Sequence, residues 1–273
     1  VGRVSTGRLS SCVSADTLID MPRDMVKYPE GVPITEVKAG DWVYSFDWKR
    51  ELTLRQVEWV GPTKVAETVV VTFENSEGHQ RPLRCTPDHL IRLRNGDWRA
   101  AGSLLHLWGR GSLDSEPRVL SMVRRAFDEG YFHFFPHSMA RGNGMSGGGR
   151  NKEHRWVAGQ VRGLAVSSKT DVHHEDGTKI NNHPSNLRAL SIPEHRAMGA
   201  KHHARWGEKR EEPTTYCGPS DYRVVSVEPG PVEEVWDMTV PEDHQFVANG
   251  IVVHNSEPNL QQVTKKLKPA FVP

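Results

Sequence analysis

Close to its C-terminal end the chain reads GIVVHNSEPN, an apolar run that stops on His254, Asn255 and Ser256 in immediate succession. By itself the triplet reads as a strand running into a turn. Further upstream, DVHHEDGTKINNHPSNLRALSIPEH carries His173, His174, Asn186 and His195. Neutral imidazole near pH 7 can act as a base or as a metal ligand. Phosphodiester hydrolysis calls on both, a base to activate water and a divalent cation to neutralise the scissile phosphate. At the other end stands Cys12, one of three cysteines with Cys85 and Cys217. A thiolate is a strong nucleophile where its surroundings lower its pKa.

These residues need elements to hold them. Residues 13 to about 105 read as short strands: VKAGDWVYSFD as a Gly-Asp turn into an alternating strand, and TVVVTFENSEGH as a β-branched run and a turn. PLRCTPDHLIRLRNGDW reads as two strand pieces around a Pro break, with an Asn-Gly turn after them. The same texture returns over 222–254, where YRVVSVEPGPVEEVWDMTV reads as strand, Pro/Gly turn, strand, and HQFVANGIVVH as a hairpin on Asn249-Gly250. Between them SEPRVLSMVRRAFDEG has helical spacing, ARGNGMSGGGRNKEH is a glycine-rich loop, and HPSNLRALSIPEHRAMGAKHHARW reads as mainly helical. A mainly β chain interrupted by an α/β insert over roughly 113–210 is therefore expected, the outer pieces being 12–112 and 211–255.

Composition agrees. The chain has 273 residues, 36% hydrophobic and 25% charged, as in a globular protein with a proper core. The net charge of +1 is uneven: from Leu113 to Arg210 there are 16 Lys/Arg against 10 Asp/Glu, and nine of the 14 histidines. A basic stretch of that kind points to nucleic acid. Three cysteines without a CxxC pair argue against a disulfide framework and fit a reducing, cytoplasmic setting. No apolar run approaches the roughly 18 residues of a membrane helix, and VGRVSTGRLSS is neither a signal nor a transit peptide. The absence of an initiator Met points to a fragment of a longer chain.

The histidine-rich stretch resembles the ββα-metal motif of HNH nucleases. The resemblance implies that His173 and His195 are metal ligands, that His174 is the general base, and that Asn186 braces the loop and orients His174. Two strands followed by a helix would bring the His pair and His195 onto one side of a divalent metal, Mg²⁺ being the expected ion. His183, His202 and His203 match no such role and read as solvated surface or phosphate contacts.

The outer pieces resemble an intein, the self-splicing domain of the hedgehog/intein fold, through CVSADTLI, RCTPDHLIRL, VWDMTVPEDHQFVANG and GIVVHNS in that order. The resemblance covers 12–255 and implies a role for each group. Cys12 attacks the carbonyl before it to give a thioester, while Thr86 and His89 polarise that carbonyl and protonate the leaving nitrogen. Ser256 takes over the acyl group, with Asp237 positioning the nucleophiles. Asn255 then cyclises, assisted by His254 and supported by His244. No cofactor is implied for splicing. Cys85 reads as a buried strand cysteine, with a redox pairing to Cys12 as the alternative.

The flanks, 1–11 and 256–273, would join as TGRLSSSEPNLQQ, which resembles a segment of family A DNA polymerases near the primer–template duplex. That resemblance gives Arg8 a backbone contact in the joined protein. The implied partners are the chain's own flanks as substrate and double-stranded DNA, its target the polymerase gene lacking the element. Membranes are not among them. Two rival readings are a nuclease on a degenerate, non-splicing scaffold and a DNA-binding module that only grips phosphate; a hedgehog-type autoprocessing domain would need no Asn-Ser junction.

Overall fold

The computed structural model describes residues 11–104, 118–122, 124–128, 130–135, 151–162, 169–202 and 222–255. Ser256, Arg8, His203 and Cys217 lie outside these residues, as do the side chain of His202 and the glycine-rich loop through Arg150. The expected insert boundaries at 113 and 210 lie outside them too.

A small closed barrel is formed by β1 (Val13–Ser14), β15 (Arg223–Thr239), β6 (Trp59–Glu74) and β7 (Gln80–Cys85) in that order. A six-stranded sheet packs with it, in the order β3 (Val32–Pro33), β2 (Leu18–Ile19), β16 (Gln245–Ala248), β17 (Ile251–His254), β8 (Leu90–Arg92) and β9 (Trp98–Ala100). The hairpin β4 (Trp42–Phe46) and β5 (Leu52–Gln56) completes the outer module. Val71, Phe73, Leu83, Ile91, Met238, Phe246 and Val253 fill one core between barrel and sheet. Each large apolar side chain buried there contributes roughly 1.5–3 kcal/mol.

The expected hairpin on Asn249-Gly250 is present, with Ala248 paired to Ile251. Both tip residues have positive φ (47° and 80°), as a two-residue turn matched to strand twist requires. Three local expectations fail for identifiable reasons. EPGP makes no turn: β15 runs through it as one strand with a register shift between Pro229 and Val232, because β6 pairs with it on both sides. Thr68 Oγ1 donates to the Pro231 carbonyl at 2.7 Å across the shift. The strand β4 does not alternate, since Val43 to Phe46 are all buried between two cores. The described part of SEPRVLSMVRRAFDEG is extended rather than helical. Val119 and Ser121 bridge to Leu93 and Ile251, and β10 (Arg124–Asp128) pairs with β11 (Tyr131–Phe135), so sheet edges claimed a backbone whose apolar spacing suited a helix.

The chain continues with β12 (Asn151–Lys152) beside β11, then α1 (Glu153–Arg162), the hairpin β13 (Thr170–His174) and β14 (Leu187–Ser191), and α2 (Ile192–His202). Only the second half of HPSNLRALSIPEHRAMGAKHHARW is thus helical among the described residues. Helix α2 starts where it does because Ser191 and Glu194 form a capping box. The Ser191 amide donates to the Glu194 carboxylate at 2.9 Å, and the Glu194 amide to Ser191 Oγ at 3.4 Å.

Strands β4, β5, β16 and β17 share a second core with the stretch expected to be an insert. Tyr44, Phe46, Leu54, Val247 and Val252 pack with Phe134, Trp156, Val157, Val172 and Leu187. Beside it lies a buried ionic cluster. Arg125 meets Asp20 at 3.1 Å and Glu153 at 3.4 Å, and Asp20 also meets Arg23 at 3.1 Å. Tyr44 donates its hydroxyl to Glu153. Burial opposes the charge on Asp20, but Arg125 and Arg23 outweigh it and hold its pKa below the usual carboxylate value. Among the described residues, no helix is long and apolar enough to cross a membrane.

Candidate active site

The turn between β7 and β8 holds Cys12. The Thr86 amide donates to the Cys12 carbonyl at 2.9 Å, and the Cys12 amide donates back to Thr86 Oγ1 at 3.3 Å. The His89 amide closes the turn on the Thr86 carbonyl at 3.0 Å. Ser11 and Cys12 are buried, so the 11–12 peptide bond is shielded from bulk water. Thr86 thus touches the nitrogen of that bond, the atom that would leave, which is one of the two tasks the resemblance gives to Thr86 and His89 together. His89 is fully buried, and among the described residues its two ring nitrogens have no hydrogen-bond partner. Burial, and then the neighbouring His254, push its pKa down to about 3. It is therefore a neutral ring near pH 7, with one N–H to give and one lone pair to accept.

Strand pairing brings the other end of the segment to the same turn. Val253 of β17 pairs antiparallel with Ile91 of β8, and continuing that register sets Asn255 opposite His89. Directly opposed residues in such a pair lie about 4.5–5.5 Å apart. Asn255 is fully buried, and its amide donates to the His244 carbonyl at 3.0 Å. His254 Nδ1 lies 2.5 Å from the Asn255 carbonyl oxygen. A carbonyl only accepts, so this nitrogen carries the proton. The edge contact with Trp98 (centroids 5.1 Å apart) and the stacking on His244 (6.4 Å) fix the His254 ring. His244 itself adopts φ of +51°, an uncommon conformation for a residue with a side chain, at the turn that aims its carbonyl at Asn255.

On the far side of Cys12, β1 pairs with β15 through Val13 to Trp236 and Ser14 to Val235. The same register sets Cys12 opposite Asp237, which is buried and accepts the Met238 amide at 2.8 Å. Cys12, Thr86, His89, Asp237, His244, His254 and Asn255 therefore share one neighbourhood. Cys85 is a thiol inside the first core, its pKa raised by burial, and no disulfide links it to Cys12.

In the insert the strand pleat separates the His pair. Successive residues of a strand face opposite sides. Asp171 and His173 face α2: His173 lies 5.3 Å from the His195 ring, whose Nδ1 is 3.0 Å from the Asp171 carboxylate. His174 faces α1, 5.1 Å from His154 and 6.3 Å from Tyr131. Only His173, and not the pair, shares a side with His195, contrary to the sequence expectation. Asn186 braces the loop, donating to Asp176 and to the Asn181 carbonyl at 2.9 Å each and accepting the Asp176 amide at 3.0 Å. The side chain that holds His174 is another one: Asn182 Oδ1, at 3.3 Å from Nε2, with Asn182 in turn 3.2 Å from Glu153. Burial lowers the pKa of His174 against the opposing pull of that hydrogen bond. His183 caps the 3-10 turn at Pro184–Asn186, with Nδ1 2.7 Å from Ser185 Oγ. Among the described residues, no group of three or more His, Cys, Asp or Glu is placed to hold a metal.

No family model matches the chain. It is similar to the replicative DNA helicase DnaB of Rhodothermus marinus, with 64% identity over 33 residues, 12% of this chain and 4% of that protein. It is also similar to a DNA gyrase subunit from Synechocystis sp. (strain ATCC 27184 / PCC 6803 / Kazusa), with 26% identity over 204 residues, 70% of this chain and 17% of that protein. The chain spans less than a fifth of the curated relatives it matches. Among solved structures it is similar to a DnaB intein from Synechocystis sp. PCC 6803, at 17% identity and a TM-score of 0.41, covering 91% of this chain and 100% of that one. It is similar as well to the DnaX mini intein from Spirulina platensis, at 16% identity and a TM-score of 0.40, covering 89% of this chain and 99% of that one.

Sequence reasoning missed Asp171, Asn182, Glu153 and His154. Asp171 was findable, two residues before His173 and so on the same strand face. Nothing local marks Glu153, whose partners come from β4, β10 and the loop before β14.

Proposed function

We propose that segment 12–255 excises itself from its flanks by protein splicing. The observation that carries this reading is the convergence of Cys12 and Asn255 on one turn, with Thr86 on the Cys12 amide and His254 on the Asn255 carbonyl. The Cys12 thiol attacks the Ser11 carbonyl; the 11–12 C–N bond breaks, and the thiol proton ends on the freed Cys12 amine through the Thr86 hydroxyl and the His89 ring. Ser256 Oγ then attacks the thioester, giving an ester and regenerating the thiol, with Asp237 beside Cys12 as the acceptor for the hydroxyl proton. The Asn255 side-chain nitrogen closes on its own carbonyl, His254 stabilising the oxyanion through its Nδ1–H. The 255–256 bond breaks, the amine of Ser256 is released, and an ester-to-amide shift joins the flanks. Intact mass of freshly expressed chain tests this: a 244-residue excised segment and a 29-residue ligated peptide are expected. A persistent 273-residue precursor, with and without thiol, would refute it.

A second activity is proposed for the insert, metal-dependent DNA cleavage of the HNH type, supported by the Asp171–His195–His173 arrangement. Asp171 on Nδ1 leaves Nε2 of His195 to bind a cation, in the way second-shell carboxylates orient ligand histidines. His195 and Asp171 are over a third exposed, open to a bulky substrate. A Mg²⁺ ion held there by His173 and His195 would neutralise phosphate charge. Plasmid nicking with Mg²⁺, lost in chelator and in His195→Ala, is the expected result.

A further inference from the structure

Every group assigned to the junction above comes from the resembling motifs, yet one hydrogen-bond partner of the Cys12 sulfur lies outside them. Cys12 Sγ lies 3.2 Å from Thr63 Oγ1. Thr63 sits in β6 at GPT, where the pairing with β15 slips: Lys64 faces Val235 and Pro62 faces Trp236, leaving Thr63 as the extra residue of a bulge. Bulges add a residue to one strand and re-aim its side chain, and they recur beside active sites. This bulge stands beside the β15 residues that pair with β1, so it turns Thr63 towards the first residue of the excised segment. The Thr63 hydroxyl is itself tied down, donating to the Val235 carbonyl at 3.0 Å. Its single proton is thus spent, and toward the neutral thiol it is an acceptor.

We infer that Thr63 is a positioning residue for the Cys12 nucleophile, resting on the splicing reading above. It holds the S–H with the sulfur fixed beneath the 11–12 peptide bond. When the proton leaves, the hydroxyl swings from Val235 to donate to the thiolate. The other groups packed around this sulfur's residue, Thr86 and His89 on the β7–β8 turn and Asp237 on β15, act on the peptide bond and on proton transfer. Thr63 is exposed on the barrel surface apart from this contact, so its replacement does not open the core.

The test uses the full chain carrying Asn255→Ala, which isolates the first step, with cysteines labelled with ¹³C at Cβ. Thr63→Val should slow thiol-induced cleavage at 11–12 by about tenfold, the effect of one hydrogen bond. It should also shift the Cys12 signal while those of Cys85 and Cys217 stay in place, and Thr63→Ser should restore both. An unmoved Cys12 signal, cleavage within twofold of the parent, or failure of the serine variant to rescue would each overturn the role. A parent chain that releases nothing with thiol removes the splicing reading and this role with it. A competent parent with an indifferent Thr63→Val removes the role alone.

Discussion

The two candidate sites are assembled in opposite ways. The candidate metal site draws Asp171, His173, His195 and the bracing Asn186 from 25 consecutive residues, 171–195, on one hairpin and one helix. The junction draws its groups from positions 12 to 255, and they meet only because β1, β15 and the β7–β8 turn close a barrel while β17 pairs with β8. A local motif is fixed by a few torsions, so its spacing is legible, but a single pleat then decides which side each group serves. That pleat parts His173 from His174. A long-range site tolerates loose local sequence, but depends on register everywhere: one residue of slip in β17 would move Asn255 off His89 and turn its side chain to the other face.

The strongest test of that contrast removes one junction group at a time. Cys12→Ala and Asn255→Ala should each abolish ligation completely. Asn255→Ala should still allow thiol-induced cleavage at 11–12, and Cys12→Ala should still allow cleavage at 255–256, as read by mass spectrometry. Neither should alter Mg²⁺-dependent nicking. Next in size, His254→Ala should slow cleavage at 255–256 by about a hundredfold, the scale of a lost oxyanion donor, measured as a time course of fragment release. Third, Glu153→Ala removes one of the two carboxylates that balance buried Arg125 and should destabilise the chain by about 3–5 kcal/mol in urea titration. Because the second core is shared, fluorescence and thiol exposure should follow one transition; two separate transitions would make the insert an independent body and break the comparison.

The smallest effect is on acid stability. Burial, reinforced by His174, pushes His154 down to a pKa of about 2, as burial and His254 push His89 to about 3. Both are neutral when folded and charge near pH 6.5 when unfolded. The unfolded chain therefore binds more protons below that pH, and stability is lost as pH falls from about 6.5, by at most about 1.4 kcal/mol per pH unit for each ring. His154→Phe should flatten the fall of Tm between pH 6 and about 4.

The sequence carried the mainly β texture, the hairpin on Asn249-Gly250 and the Thr86–His89 spacing, and its HNH resemblance, though not its spacing, carried the strand–strand–helix order over 170–202. These are legible because turn chemistry and short-range hydrogen bonding are local. What escaped was set by neighbours far along the chain. Pro-Gly-Pro at 229–231 looks like a turn until β6 is known to lie alongside it. Residues 118–128 have helical spacing until β8 and β17 offer them bridges. Thr63 is one threonine among many until a register shift points it at a sulfur, and Asn182 rather than Asn186 holds His174 because of which loop residue reaches across to Glu153.

The cluster of Asp20, Arg23, Tyr44, Arg125 and Glu153 bears on how such a chain could change over generations. If the proposed cleavage is real, point substitutions at His173 or His195 would silence it and leave the charges of this cluster matched. Deleting the insert would take Arg125 and Glu153 away together and strip half of a hydrophobic core, exposing Tyr44, Leu54 and Val247 at one stroke. Descendants that stop cutting are therefore expected to keep the insert as an inert scaffold. A shortened descendant should carry compensating polar residues at the positions of Tyr44, Leu54 and Val247.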